Sequence, residues 1–227
     1  MSSRTLTATL PSDTLYVSGT VNGVSTTWTN TSGQTWETVA ERSDNDVYVV
    51  DLTIINAVGT VTETGFTLYY GLHLITDRTQ DDVVYVQTLA AKIRAGTATE
   101  EELAEWNESS LKGSYNHTDL NRVGAAMKYV SDRLISFGYD AAILPKMDWM
   151  ETDIPAVSDM DLYLSNLAVL RSSFAMMQST PEIPTDMNGL TYAEANNIEK
   201  ILEDIDLLLT NISKAWAYSV EVYSGEV

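Results

Sequence analysis

Thirty-two carboxylates, two histidines and no cysteine set the chemistry open to this chain. Without a thiol, cysteine nucleophiles, iron–sulfur ligation, cysteine zinc sites and disulfides are excluded. His73 and His117 lie far apart in sequence, and neither stands in an HExxH or comparable metal-ligand spacing. His117, followed by Thr118 and Asp119, has the type of a base or ligand, but it reads first as a loop histidine serving the helix that follows. Two carboxylates at a set separation suffice for glycoside hydrolysis, and Asp148, Glu151 and Asp153 around Trp149 are the set to test. Acidic residues are so frequent here that such proximity carries little weight. Asp44-Asn45-Asp46 offers calcium-ligand types, yet a solvated turn accounts for the same residues and no EF-hand spacing follows. No phosphate-binding glycine loop, dinucleotide fingerprint, nucleophile elbow or kinase motif is present. The expectation is a protein that is not an enzyme, with no catalytic, cofactor-binding or metal-ligating residue.

Recognition is the remaining function class. Trp149 and Met150, in the irregular stretch Tyr139 to Pro155, form one half of a candidate interaction surface. Tyr218 and Tyr223, in a closing run that alternates apolar and polar residues, form the other. That run reads as a short β-like tail able to add a strand to a neighbouring sheet. Tyr69 and Tyr70 with Trp28 and Trp36 have the ring types that stack on sugars, although core packing explains them first. A net charge of −19 repels nucleic acid phosphates and anionic lipid head groups, so neither nucleic acid nor membrane is an expected partner. The opening residues lack the apolar run of a signal peptide, and no stretch is long and apolar enough for a membrane span.

The elements that must position these residues fall into two kinds. Up to about residue 75 the chain is rich in Thr, Val, Ser and Gly, with alternating runs broken by turns. Leu6, Ala8 and Leu10 alternate with threonines, and Tyr48, Val50, Leu52 and Ile54 do the same around Asp51 and Thr53. Asn22-Gly23 is a strong hairpin signal. Six or seven such runs predict an all-β, Ig-like sandwich over residues 1–75 with Trp28 and Trp36 in its core. Beyond it the period changes to 3.6. Thr79 with Asp81 and Asp82, Thr99 with Glu102, and Thr191 with Glu194 mark helix starts. Apolar stripes run along Val83–Ile93, Leu120–Phe137, Met160–Met177 and Ile198–Trp216, with Glu203, Asp204 and Asp206 predicted to face solvent. Residues 76–227 are thus expected to form an all-α helical bundle. The charge divides unevenly, with a net −5 over residues 1–75 and −14 over the rest.

Several stretches carry a resemblance: YYGLHLITDRTQDDV (69–83), GSYNHTDLNRV (113–123), KMDWMETDIP (146–155), LTYAEANNIEKIL (190–202) and YSVEVYSGEV (218–227). Together with the β-rich start they resemble a family encoded in phages and prophages of Firmicutes, among tail and other minor structural genes. The resemblance implies a non-enzymatic virion component of the tail or tail tip, assembled in the host cytoplasm. Its implied partners are other virion proteins and further copies of itself. A carbohydrate-binding adhesin module that recognises host-surface glycans is the alternative. The resemblance implies no catalytic residue and no cofactor.

Overall fold

In the computed structural model, residues 3–43, 47–108 and 111–223 are described, with side chains to residue 215. Asp44-Asn45-Asp46 lies outside them. Alternation of threonine with aliphatic residues produces the strands: β1 (Ser3–Thr9), β2 (Thr14–Val21), β3 (Val24–Thr27), β4 (Thr29–Ser32), β5 (Thr35–Glu41), β6 (Val47–Asn56) and β7 (Val61–Tyr69). They form two antiparallel sheets, ordered β1-β5-β4 and β3-β2-β6-β7. Leu6 and Ala8 from the first sheet, Leu10 just beyond β1, and Tyr48, Val50, Leu52 and Ile54 from the second sheet contribute to one core with Trp28 and Trp36. Each large side chain so buried stabilises the fold by roughly 1.5–3 kcal/mol before entropy is subtracted. Asn22 and Gly23, with φ of 49° and 77°, form the two-residue turn between β2 and β3 that the Asn-Gly pair predicts.

The free edge of β1 is covered by side chains. The Thr9 N–H donates to the Asp148 carboxylate at 3.2 Å, and the Tyr70 hydroxyl reaches the Thr5 carbonyl at 3.5 Å. Capping an edge in this way denies it to a foreign strand.

Five helices follow: α1 (Gln80–Ala95), α2 (Glu100–Asn107), α3 (His117–Ser136), α4 (Val157–Ser172) and α5 (Tyr192–Tyr223). Thr79 and Thr99 cap α1 and α2 through reciprocal bonds with Asp82 and Glu102, as their spacing predicts. Thr191 and Glu194 do the same for α5. The predicted stripes of α3 and α5 are buried: Leu120, Val123, Met127, Val130 and Leu134 on one, Ile198, Leu202, Ile205 and Leu209 on the other. Among the described residues no helix is long and apolar enough to cross a membrane.

Four expectations change. α1 buries only Leu89, with Val83, Val86, Ala90 and Ile93 half-covered. α4 ends at Ser172, five residues short of Met177. The Ser172 and Ser173 hydroxyls both turn back onto the Val169 carbonyl, and serine in that role competes with helix continuation. Asp204 is fully buried, not solvent-facing; its carboxylate accepts from the Thr180 hydroxyl at 2.7 Å. The C-terminal run is helical to Tyr223, because no glycine or proline interrupts the chain between Gly189 and Gly225 and extending a formed helix fixes only one residue per bond gained.

The chain divides into two compact units, each discontinuous. The first comprises Met1–His73, Asn116–Ala125 and Lys146–Ile154; the second comprises Leu74–Tyr115, Ala126–Pro145 and Pro155–Val227. The first junction falls between His73 and Leu74. A single cut there misses two segments that belong with the strands.

Candidate interaction surface

The β-rich unit is completed by the start of α3 and by residues 146–154. Asn116 caps α3: its side-chain oxygen accepts from the Thr118 N–H at 2.9 Å, and its own N–H donates to Asp119 at 3.1 Å. His117 is therefore the first residue of the helix, one position beyond the cap. Asn121, 1% exposed, points into the unit. Its oxygen accepts from the Trp149 N–H at 2.7 Å and its amide donates to the Trp149 carbonyl at 2.9 Å. One turn on, Gly124 lets the chain approach: a Cβ there would lie 2.6 Å from the Lys146 carbonyl oxygen. Arg122, also buried, pairs with Asp119 at 2.7 Å and donates to the His73 carbonyl at 2.5 Å. Burial raises the Tyr69 phenol above its ordinary value, with Arg122 opposing and Asp119 adding to the effect.

These contacts decide what the proposed site residues do. Trp149 is 4% exposed, so it is a buried side chain and not part of an exposed surface. Lys146 lies 3.9 Å above its ring and pairs with Asp153 at 2.9 Å. The Asp153 carboxylate also accepts from the Met150 N–H at 3.1 Å. Burial pushes that carboxyl up, but Lys146 and the Met150 N–H, helped by His117, hold it below its ordinary value. Asp148 is committed to β1. Of the tested trio only Glu151 remains exposed. His73 bonds the Tyr70 carbonyl at 3.0 Å through Nε2 and lies against the Tyr69 ring. Among the described residues no group of three or more His, Asp or Glu is arranged to hold a metal ion.

Met150, Glu151 and Thr152 form one wall of a groove of about 380 Å³ over β6 and β7. Its other lining includes Asp13, Ile54, Glu63 and Thr64, and the Thr64 hydroxyl lies 3.0 Å from the Met150 sulfur. Met150 is thus half-buried at a recessed surface. Tyr218 and Tyr223 fall on the last turns of α5, and their side chains lie outside the described residues.

The helical unit carries a second polar framework. Arg78 and Glu199, 2% and 0% exposed, pair at 2.8 Å. Glu199 also accepts from the Ile75 N–H at 2.5 Å, and Asn196 exchanges two bonds with the Arg78 backbone at 3.0 and 2.9 Å. The Tyr115 ring stacks near Arg78, while its hydroxyl meets that of Tyr163 at 2.6 Å. A buried pair of this kind fixes a unique arrangement of the segments that carry it, at a desolvation cost its hydrogen bonds offset. The sequence does hold a signal for it. Glu199 stands beside Ile198 and three residues before Leu202, on the apolar stripe itself.

Comparisons with protein-family models, with curated proteins and with solved structures find no match for this chain.

Proposed function

We propose that this chain is a non-enzymatic structural or adhesion component of a bacteriophage particle, belonging to the tail or tail tip, with other virion proteins and copies of itself as partners. In finer terms the two antiparallel sheets around one core are read as an Ig-like sandwich, and the helices as a bundle. The observation that carries the reading is the use of the chemically able side chains. Asp148 covers a sheet edge, Asp153 closes a turn, and the Asp119–Arg122 and Arg78–Glu199 pairs knit backbone segments together. A chain so arranged works by holding surfaces in place, as recognition segments on rigid scaffolds do. Mass spectrometry of purified particles of a phage encoding the chain tests this: the protein is expected among the virion proteins, and its absence from particles overturns the reading.

The groove over β6 and β7 favours a second reading, a module that binds host-surface glycans. Hydroxyl and carboxylate groups of Thr62, Glu63, Thr64, Glu151 and Thr152 line it beside the apolar Ile54 and Met150, a mixture suited to the hydroxyls and C–H faces of a neutral sugar. A glycan array read with the wild type and with Glu151→Ala separates the two. Binding that is lost in the variant supports the glycan site, and no binding leaves the scaffold reading alone.

A further inference from the structure

We infer that α2 is a docking helix whose Leu103 and Trp106 enter an apolar groove with a basic rim on a partner protein. An isolated eight-residue helix is far too short to be stable in water, and helices in proteins normally draw their stability from a buried face. α2 buries no residue at all. Leu103 and Trp106, three apart and so on one face, remain 40% and 37% exposed. What holds the helix is polar: the Thr99–Glu102 capping box, an ion pair of Glu102 with Lys92, and a bond from the Tyr85 hydroxyl to Glu105 at 2.5 Å. Glu102 and Glu105 therefore mark the side turned to α1, and the Leu103–Trp106 face lies about 100° of helix rotation away from it. Tryptophan and leucine presented together at this spacing are the anchors by which a helix seats in a groove.

The charge of the helix selects the partner. It carries Glu100, Glu101, Glu102 and Glu105 and no basic residue, with Glu100 and Glu101 exposed. A second copy would bring the same charges against these, and the chain as a whole is at −19. The complement is a surface rich in lysine or arginine around an apolar slot. The inference stands on α2 by itself and holds for any assembly, so its failure and that of the particle reading are separate results.

The test uses the full chain and a fluorescent amphipathic helical peptide of leucine and lysine, followed by anisotropy, with the leucine–glutamate peptide as its control. The lysine peptide is expected to bind and the glutamate peptide not to. Leu103→Ala with Trp106→Ala is expected to weaken binding by about tenfold or more, the effect of losing a central anchor pair. Glu100→Lys with Glu101→Lys, which leaves the apolar face intact, is expected to weaken it too and to flatten its salt dependence. Circular dichroism of both variants should match the wild type, since α2 contributes nothing to the buried core. Equal binding by the Leu103→Ala, Trp106→Ala variant overturns the inference, because the peptide would then be reading acidity alone. Self-association of the wild type that this variant abolishes overturns it as well, by making a second copy the occupant.

Discussion

Replacing Asn121 by alanine removes two hydrogen bonds at once and leaves both backbone groups of Trp149 without partners in a buried place. The amide and the carbonyl lie 2.7 and 2.9 Å from the Asn121 side chain, which is 1% exposed, and the tryptophan that carries them is 4% exposed. A buried backbone group left unsatisfied costs roughly 1–3 kcal/mol, so Asn121→Ala, which affects two, should destabilise the β-rich unit by about 2–6 kcal/mol. Because the unit is one of two, the reading should be local as well as global. Hydrogen exchange at the Trp149 amide, set against chemical unfolding followed by tryptophan fluorescence, gives both. Asn121→Asp is the informative companion: it keeps an acceptor for the Trp149 N–H and places an oxygen against the Trp149 carbonyl, so it should also be destabilising. If Asn121→Ala unfolds within about 0.5 kcal/mol of wild type with unchanged protection at Trp149, the change is no larger than an ordinary surface substitution. The idea that α3 clamps residues 146–154 would then be wrong.

Gly124→Ala should destabilise although alanine favours helix by about 1 kcal/mol, because the new Cβ would meet the Lys146 carbonyl oxygen at 2.6 Å; a variant that melts higher than wild type contradicts the close approach. Glu199→Ala should cost about 3–5 kcal/mol by removing the carboxylate paired with buried Arg78, while Arg78→Met combined with Glu199→Leu should recover much of that loss; a double variant no better than the single one refutes the buried-ion-pair account. Acid should act through the lowered carboxyls. Glu194 is held down by the Thr191 N–H, Asp82 by the Thr79 hydroxyl, and Glu102 by Lys92. Their folded values lie below their unfolded ones, so the stability they give is present above about pH 4 and is lost as the pH falls through the folded values. Thermal melts followed by circular dichroism should therefore hold between neutrality and about pH 5 and drop below pH 4, and a midpoint unchanged down to pH 2 contradicts this.

The sequence announces elements by period and punctuation, and those readings largely match. Alternation places Leu6, Ala8, Leu10 and the Tyr48–Ile54 set inward, and three capping boxes start the helices that their spacing predicts. What composition hides is which polar residues face in. Asp204 and Glu199 have the charge of surface residues, and only their position beside apolar stripes hints otherwise. Trp149 is misread for the complementary reason. Its neighbours are acidic, and the asparagine that fixes it stands 28 residues earlier. Long-range pairing of this kind leaves no periodic trace. Four of the stretches that carry the phage-family resemblance, those around His73, Asn121, Trp149 and Glu199, are the ones these buried contacts engage.

The discontinuity of the β-rich unit has a consequence for synthesis. Its strands leave the ribosome first, but Asp148, whose carboxylate accepts from the edge of β1, lies some seventy-five positions after His73. At about 5–20 residues per second that is a wait of roughly 4–15 s, during which the Thr9 N–H on the edge of β1 lacks its Asp148 partner. A chain that pauses or terminates between α1 and α4 therefore exposes a pairing-ready strand. Expression of residues 1–75 alone should favour aggregation where the full chain stays soluble.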